Sequence, residues 1–141
     1  MYKLLVVEDE PAIRDVFKYL LEDRGFEVYL AEDGHEALSI FHTRSPEIVF
    51  LDLSLPRGMT GKDVLKEIRK SNSRTAVVII TGSSEEDAQS IIGQLNVQYI
   101  LKKPFRLDYV EKQILPKIKE KLRSQQDLDD FRTAPGADPE F

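Results

Sequence analysis

Ile48-Val49-Phe50-Leu51-Asp52-Leu53-Ser54-Leu55-Pro56 is the stretch on which the fold turns. Its first four residues are all apolar, which suits a central parallel strand covered on both faces, and the run then breaks on a carboxylate. Working outward, Lys3 to Val7 and Glu27 to Leu30 upstream, with Ala76 to Thr81 and Tyr99 to Leu101 downstream, have similar strand character. The segments between them carry apolar residues at helical spacing: Ile13, Phe17, Leu20 and Leu21; Ala37, Leu38 and Phe41; Val64, Leu65 and Ile68; Ala88, Ile91, Ile92 and Leu95; then Val110, Ile114, Ile118 and Leu122. Pro11 suits a first helical turn, and Asp33 with Glu36 and Ser83 with Glu86 have capping-box spacing. The fourth helix is expected over Glu85 to Leu95. Strands alternating with helices need right-handed crossovers, so the economical architecture is α/β: a five-stranded parallel sheet, doubly wound as (βα)5 and flavodoxin-like.

Composition narrows the class. A chain of 141 residues suits one domain with a continuous core. With 41% hydrophobic and 32% charged residues, the balance is globular rather than disordered or fibrous. No apolar run is long enough to span a bilayer, and Tyr2 to Val7 runs straight into Glu8-Asp9-Glu10, against a signal peptide or membrane association. Cysteine is absent, which excludes disulfides, thiolate metal sites and a cysteine nucleophile and makes a cytoplasmic location the simplest reading. His35 and His42 cannot build a zinc site without carboxylate help. A formal net charge of −5 gives no overall attraction to nucleic acid, so direct DNA binding is not expected.

Ligands of such folds bind at the carboxyl ends of the strands. Glu8 and Asp9 follow the first strand there, Asp52 follows the third, Thr81 ends the fourth, and Lys102-Lys103-Pro104 follows the fifth. Three clustered carboxylates repel one another unless a counter-charge intervenes, and a hard, oxygen-seeking cation supplies it; Mg²⁺ is the natural candidate. Taken singly, each residue has a plainer reading: Glu8 and Asp9 as caps of the helix opening near Pro11, Asp52 as a loop acid, Thr81 as a strand-end hydroxyl, Lys103 as a solvated amine. Their joint placement favours a site. There is no Gly-rich phosphate loop with Lys and Ser/Thr, no G-x-G-x-x-G and no G-x-S-x-G elbow.

With these residues in place, the chain over residues 2 to about 122 resembles the receiver domain of two-component response regulators, of the chemotaxis-regulator type. The resemblance rests on Leu-Leu-Val-Val-Glu-Asp-Glu-Pro at 4–11, Leu-Asp-Leu-Ser-Leu-Pro at 51–56, Ile-Ile-Thr-Gly at 79–82 and Lys-Lys-Pro-Phe at 102–105. It implies that Asp52 is the phosphoacceptor, that Asp9, Glu8 (through water), Asp52 and the Ser54 backbone carbonyl hold Mg²⁺, and that Thr81 is the switch hydroxyl. It also implies that Lys103 pairs with Asp52 or its phosphate, and that the Lys103–Pro104 bond is cis, a state proline makes accessible. Rate-tuning positions fall on Ser54 and Ser83. Two departures stand out. The loop Pro56-Arg57-Gly58-Met59-Thr60-Gly61 is one residue longer than the commonest spacing, with Thr60 where an Asp is frequent. The aromatic switch position falls on Ile100, with Tyr99 one residue earlier and on the opposite strand face.

The function so implied is a phosphorylation-activated switch. It is a phosphoacceptor rather than an enzyme, assists its own phosphorylation and resets by slow autodephosphorylation. Its donor is a sensor histidine kinase or histidine phosphotransfer protein. Its downstream protein target, and any homodimer, would engage the face of helix 4, strand 5 and helix 5. The alternatives are a flavodoxin-like small-molecule binder, which wants a phosphate-cradling loop, and a receiver-like interaction domain that is never phosphorylated. A haloacid-dehalogenase-like hydrolase wants D-x-D where this chain has Glu8-Asp9-Glu10. The receiver is expected over residues 1–123. Residues 124–141 form a polar tail, linker remnant or cloning scar, with Pro135, Gly136 and Pro139 against a helix at its end and no output-domain pattern. Ile114, Ile118, Leu122 and Gln125 share one helical stripe whose plainer job is to cover the sheet, though it could extend into a dimerising linker.

Overall fold

A computed structural model describes residues 1–133. The elements run β1 (Lys3–Val7), α1 (Pro11–Asp23), β2 (Glu27–Ala31), α2 (Gly34–Arg44), β3 (Ile48–Asp52), α3 (Gly61–Ser71), β4 (Ala76–Thr81), α4 (Glu85–Ile92) and β5 (Tyr99–Lys102). A short helix α5 (Leu107–Tyr109), a π-helical turn (Val110–Ile114) and α6 (Leu115–Thr133) follow. The five strands form one parallel sheet in the order β2-β1-β3-β4-β5, the (βα)5 arrangement read from the sequence. The chain divides into two compact units, Met1–Pro104 and a second beginning at Phe105.

In the first unit the strands alternate, and Leu5, Val7, Val49, Leu51, Val77 and Ile79 share one buried cluster with Ala37 and Phe41 of α2, Val64, Leu65 and Ile68 of α3, and Ala88 and Ile92 of α4. The other sheet face meets α1, whose Phe17 contacts Phe50 edge-on with ring centroids 5.4 Å apart. β3 and β4 are buried along their whole lengths, as runs covered on both faces must be. β2, β3 and β5 each extend one residue beyond the sequence expectation. Asp52 is therefore the last residue of β3, in register with Ile80, rather than the first of a loop.

Helix ends are set by local hydrogen bonds, and two differ from expectation. α4 is capped by Ser84, whose hydroxyl accepts the Asp87 N–H at 3.1 Å, not by Ser83 with Glu86. Ser83 is instead drawn into the turn before the helix, where its N–H donates to Thr81 Oγ1 at 3.0 Å. α4 also stops at Ile92 rather than Leu95, because Gly93 takes a φ of 63°. Leu95 still packs against the core, but Ile91 stays 40% exposed. Asp33 caps α2 as expected, accepting the Glu36 N–H at 2.8 Å. At α3, Thr60 and Asp63 form a reciprocal capping box, so threonine serves well in that position.

In the second unit Val110, Ile114, Ile118 and Leu122 are buried at four-residue spacing. The Leu115 N–H reaches the Val110 carbonyl five residues back, and this wide turn ends just before Pro116, which has no N–H for the ladder. α6 passes through positions 123 and 124 without a break and presents exposed Leu128 and Phe131. Pro135, Gly136 and Pro139 lie outside the described residues.

One close approach ties the fold to the carboxyl edge of the sheet. Gly61 donates its N–H to the Leu53 carbonyl at 3.0 Å. A Cβ there would lie 2.2 Å from the Asp52 carbonyl oxygen and 2.6 Å from Leu53 Cα, both backbone atoms. Gly61→Ala is therefore expected to lower the unfolding free energy by about 2 kcal/mol or more in denaturant titration, since α3 must shift away from β3.

Candidate functional site: an acidic pocket at the carboxyl edge of the sheet

Strand register brings the site residues together. Val7 pairs with Leu51, so Glu8 and Asp52, each one residue further on, emerge side by side from adjacent strands. Thr81 pairs with Lys102 on the other side of the pocket, and the Lys103 N–H donates to the Thr81 carbonyl at 2.7 Å. The Lys103–Pro104 bond is cis. Carboxylate oxygens of Glu8, Asp9 and Asp52 all lie within 4.8 Å of one another. Glu8 is wholly buried and Asp52 is 3% exposed, while Asp9 faces solvent.

Lys103 Nζ spans the pocket. It donates to Glu8 Oε1 at 2.7 Å and Asp52 Oδ2 at 2.9 Å, and lies 3.6 Å from Glu10 Oε1. The Asp52 carboxylate is oriented from its other side by the Ser54 N–H, which donates to Oδ1 at 2.8 Å. Burial, followed by the Asp52 carboxylate beside it, raises the Glu8 carboxyl from its ordinary 4.5 to about 7, and Lys103 only partly opposes this. Burial alone would lower the Lys103 ammonium, but its bonds to Glu8 and Asp52 and their charges outweigh that, and its pKa is raised. Glu8 Oε2 is buried with no hydrogen-bond partner. A buried oxygen without a donor beside two further carboxylates fits a hard cation such as Mg²⁺.

Of the other expected residues, Thr81 is buried with its oxygen accepting from Ser83, so its hydroxyl proton remains free to point elsewhere. Ser54 is exposed and Ser83 half-buried. Ile100 packs against the core cluster, and Tyr99 is half-buried one residue before it. Glu8 and Asp9 do not cap α1; Glu10 occupies that position, without a side-chain cap.

Three residues near the pocket were not anticipated. Glu10 reaches Lys103, and the run Glu8-Asp9-Glu10 was its available signal. Arg14 donates to the backbone carbonyls of Glu8 (2.8 Å) and Asp9 (3.1 Å), and Arg57 pairs with Asp33 at 2.5 Å. No spacing rule in the sequence points to either.

A doubly wound sheet with an acidic, lysine-bridged pocket at the switch point between β1 and β3 defines a class of fold and site, and comparison with known proteins agrees with it. The family described as the response regulator receiver domain matches residues 4–115, and the chain belongs to it. The sensory transduction protein RegX3 of Mycolicibacterium smegmatis is 35% identical over 131 residues, covering 92% of this chain and 54% of that protein. The chain thus spans about half the length of this relative. NtrX from Brucella abortus, solved in complex with ATP, is 32% identical with a TM-score of 0.82, covering 94% of this chain and 30% of that one. A CheY-like receiver domain from Methanospirillum hungatei shares the fold at 23% identity and a TM-score of 0.79, over 88% of this chain and 98% of its own. Among the described residues no helix is long and apolar enough to cross a membrane.

The raised Glu8 pKa fixes the sign of a pH effect. Between the ordinary value of 4.5 and about 7 the folded chain holds a proton that the unfolded chain has released, so this group's contribution to stability declines as pH rises through that window. With a chelator present, Glu8→Gln is expected to gain stability relative to the native chain between about pH 5 and pH 8, on the order of 2 kcal/mol, as measured by denaturant unfolding at each pH.

Proposed function

We propose that the chain is a phosphorylation-activated switch whose Asp52 accepts a phosphoryl group from a phosphohistidine on a sensor histidine kinase or phosphotransfer protein. The observation that carries the reading is the buried Asp52 carboxylate. It shares a cluster with Glu8 and Asp9, and it is fixed by Lys103 on one oxygen and the Ser54 N–H on the other.

Glu8, Asp9, Asp52 and the Ser54 carbonyl would hold Mg²⁺, which when bound supplies neutralisation of the phosphoryl oxygens. The chain's own groups do the rest. Phosphoryl transfer passes through a loose transition state, so catalysis is mainly in-line positioning and charge neutralisation. An Asp52 oxygen forms the new bond to phosphorus as the phosphorus–nitrogen bond of the donor imidazole breaks. Lys103, already on Asp52 Oδ2, neutralises a second phosphoryl oxygen, and the free proton of Thr81 is available for a third. The product is a mixed anhydride that water cleaves, so the domain resets itself. It acts as a phosphoacceptor in the cytoplasm rather than as a turnover enzyme.

Moving a switch from mostly off to mostly on takes roughly 5.5 kcal/mol of differential interaction. Charge-assisted hydrogen bonds from Thr81 and Lys103 to the new oxygens are worth about 1.5–3 kcal/mol each and can supply much of it. The responding part is the turn at 82–84 with α4, which starts beside Thr81, and the neighbouring β5 with Ile100 and Tyr99. Ile91, exposed on α4, gives that surface an apolar contact for a downstream protein or a second copy.

Incubation with acetyl phosphate and Mg²⁺ should add one phosphoryl group by intact mass, absent without Mg²⁺ and absent in Asp52→Asn; an adduct that survives in Asp52→Asn would refute the assignment. Ser54 and Ser83 are small and neutral, and would leave a phosphoryl group on Asp52 comparatively open to water. Making both bulky should lengthen the acyl-phosphate lifetime severalfold, followed by loss of the adduct over time, and an unchanged lifetime would count against their tuning role.

A further inference from the structure

Of the pocket's ligands, Asp52 ends β3, while the others lie on two loops: Glu8 and Asp9 on residues 8–10 after β1, and the Ser54 carbonyl on residues 53–60 after β3. Neither loop is held by the sheet ladder alone. Both are tied to a third segment, residues 31–33, at the end of β2, which contributes no ligand. The Glu8 N–H donates to the Ala31 carbonyl at 3.0 Å. Glu32 Oε1 lies 3.5 Å from an Arg14 guanidinium nitrogen, and the same guanidinium donates to the Glu8 and Asp9 carbonyls. Asp33 is nearly buried, and its carboxylate is divided between two tasks. Oδ1 caps α2 through the Glu36 N–H, and Oδ2 holds Arg57. The Glu36 N–H, then Arg57, keep that carboxyl below the usual range.

Arg57 is where the second tie carries strain. Its φ is 66°, a left-handed conformation that is unfavourable for a non-glycine residue. A residue persists there only when its surroundings over-determine it. Here the ion pair to Asp33 holds it, in the loop that is one residue longer than the commonest spacing. That loop carries Ser54, whose N–H already orients Asp52.

Resting on the reading of the pocket as a Mg²⁺ site, we propose that Arg14 and Arg57 are positioning residues for it. Through Glu32 and Asp33 they clamp both ligand-bearing loops onto residues 31–33, and so set how tightly the pocket holds its cation. Groups that orient metal ligands are worth about 10–100-fold in affinity, which is the scale expected here. The two ties act on different loops, so loss of either alone should weaken binding.

The test is calorimetric titration of Mg²⁺ into the native chain and into Arg57→Asn, Arg57→Lys, Arg14→Gln and Glu32→Gln, beside acetyl-phosphate phosphorylation over a Mg²⁺ series. Asparagine tolerates the left-handed backbone, and Glu32 is exposed, so these two variants keep the test valid if Arg14→Gln unfolds. Arg57→Asn and Arg14→Gln should each weaken Mg²⁺ on the order of 10-fold, and Glu32→Gln less. Arg57→Lys should recover most of the loss. The half-saturating Mg²⁺ for phosphorylation should rise while the rate at saturating Mg²⁺ stays near native. Native-like affinity in both Arg57→Asn and Glu32→Gln overturns the clamp, as does a lowered saturating rate with unchanged half-saturation. A native chain that binds no Mg²⁺ overturns the reading of the pocket itself, whereas native binding with unaltered variants overturns the clamp alone.

Discussion

Two buried carboxylates on neighbouring strands share one amine, and the rest of the pocket follows from that. Removing a charge from water costs several kcal/mol even after relaxation, so Glu8 and Asp52 can sit under the sheet edge only beside a compensating charge. Lys103 provides it from two strands away, because β4 stands between β3 and β5. A short side chain could not cover that span. Lysine does, and the bond from its own N–H to the Thr81 carbonyl fixes the point from which it reaches.

Much of this was legible in the sequence for a simple reason. Short apolar runs alternating with helical stripes suit parallel strands, the central ones dry on both faces, and parallel strands must expose their next residues at one common edge. Periodicity therefore puts Glu8, Asp9, Asp52, Thr81 and Lys103 at the same edge. Errors came where two local solutions compete within one or two residues. Ser83 and Ser84 both have an acid three positions on, and the cap fell to Ser84 once Ser83 was engaged by Thr81. Ile91 fits the helical stripe yet is 40% exposed, and α4 ends sooner than the stripe, at Gly93. The π-helical turn before Pro116 was hidden for the opposite reason, since apolar residues four apart read as an ordinary helix.

The contacts of Arg14 and Arg57 were illegible in a stricter sense. Arg57 and Asp33 lie 24 residues apart, and their pairing depends on the course of a loop whose length departs from the common spacing. Arg14 sits one turn into a helix with ordinary surface composition, where an arginine normally reads as a solvated charge. Only the folded chain turns its guanidinium back onto the carbonyls of Glu8 and Asp9. Side-chain ties between loops have no period, so pattern reading cannot find them.

The pocket is also undercompensated. Glu8, Asp9 and Asp52 carry three formal negative charges against the single positive charge of Lys103. The elevated Glu8 pKa and its partnerless Oε2 both express that imbalance in the metal-free chain. Had selection favoured stability alone, an apolar pair at these positions would pack at lower cost. A site that stays short of positive charge holds interaction free energy in reserve for a dication, which brings the formal charge to balance. The same deficit that weakens the fold would favour a cation in the pocket. The loop bearing Glu8 and Asp9 would then have to be restrained from turning outward to relieve the repulsion itself. In the proposed clamp, ties placed outside the ligand set, on a segment with no acid in the pocket, would do that without occupying any position a cation needs.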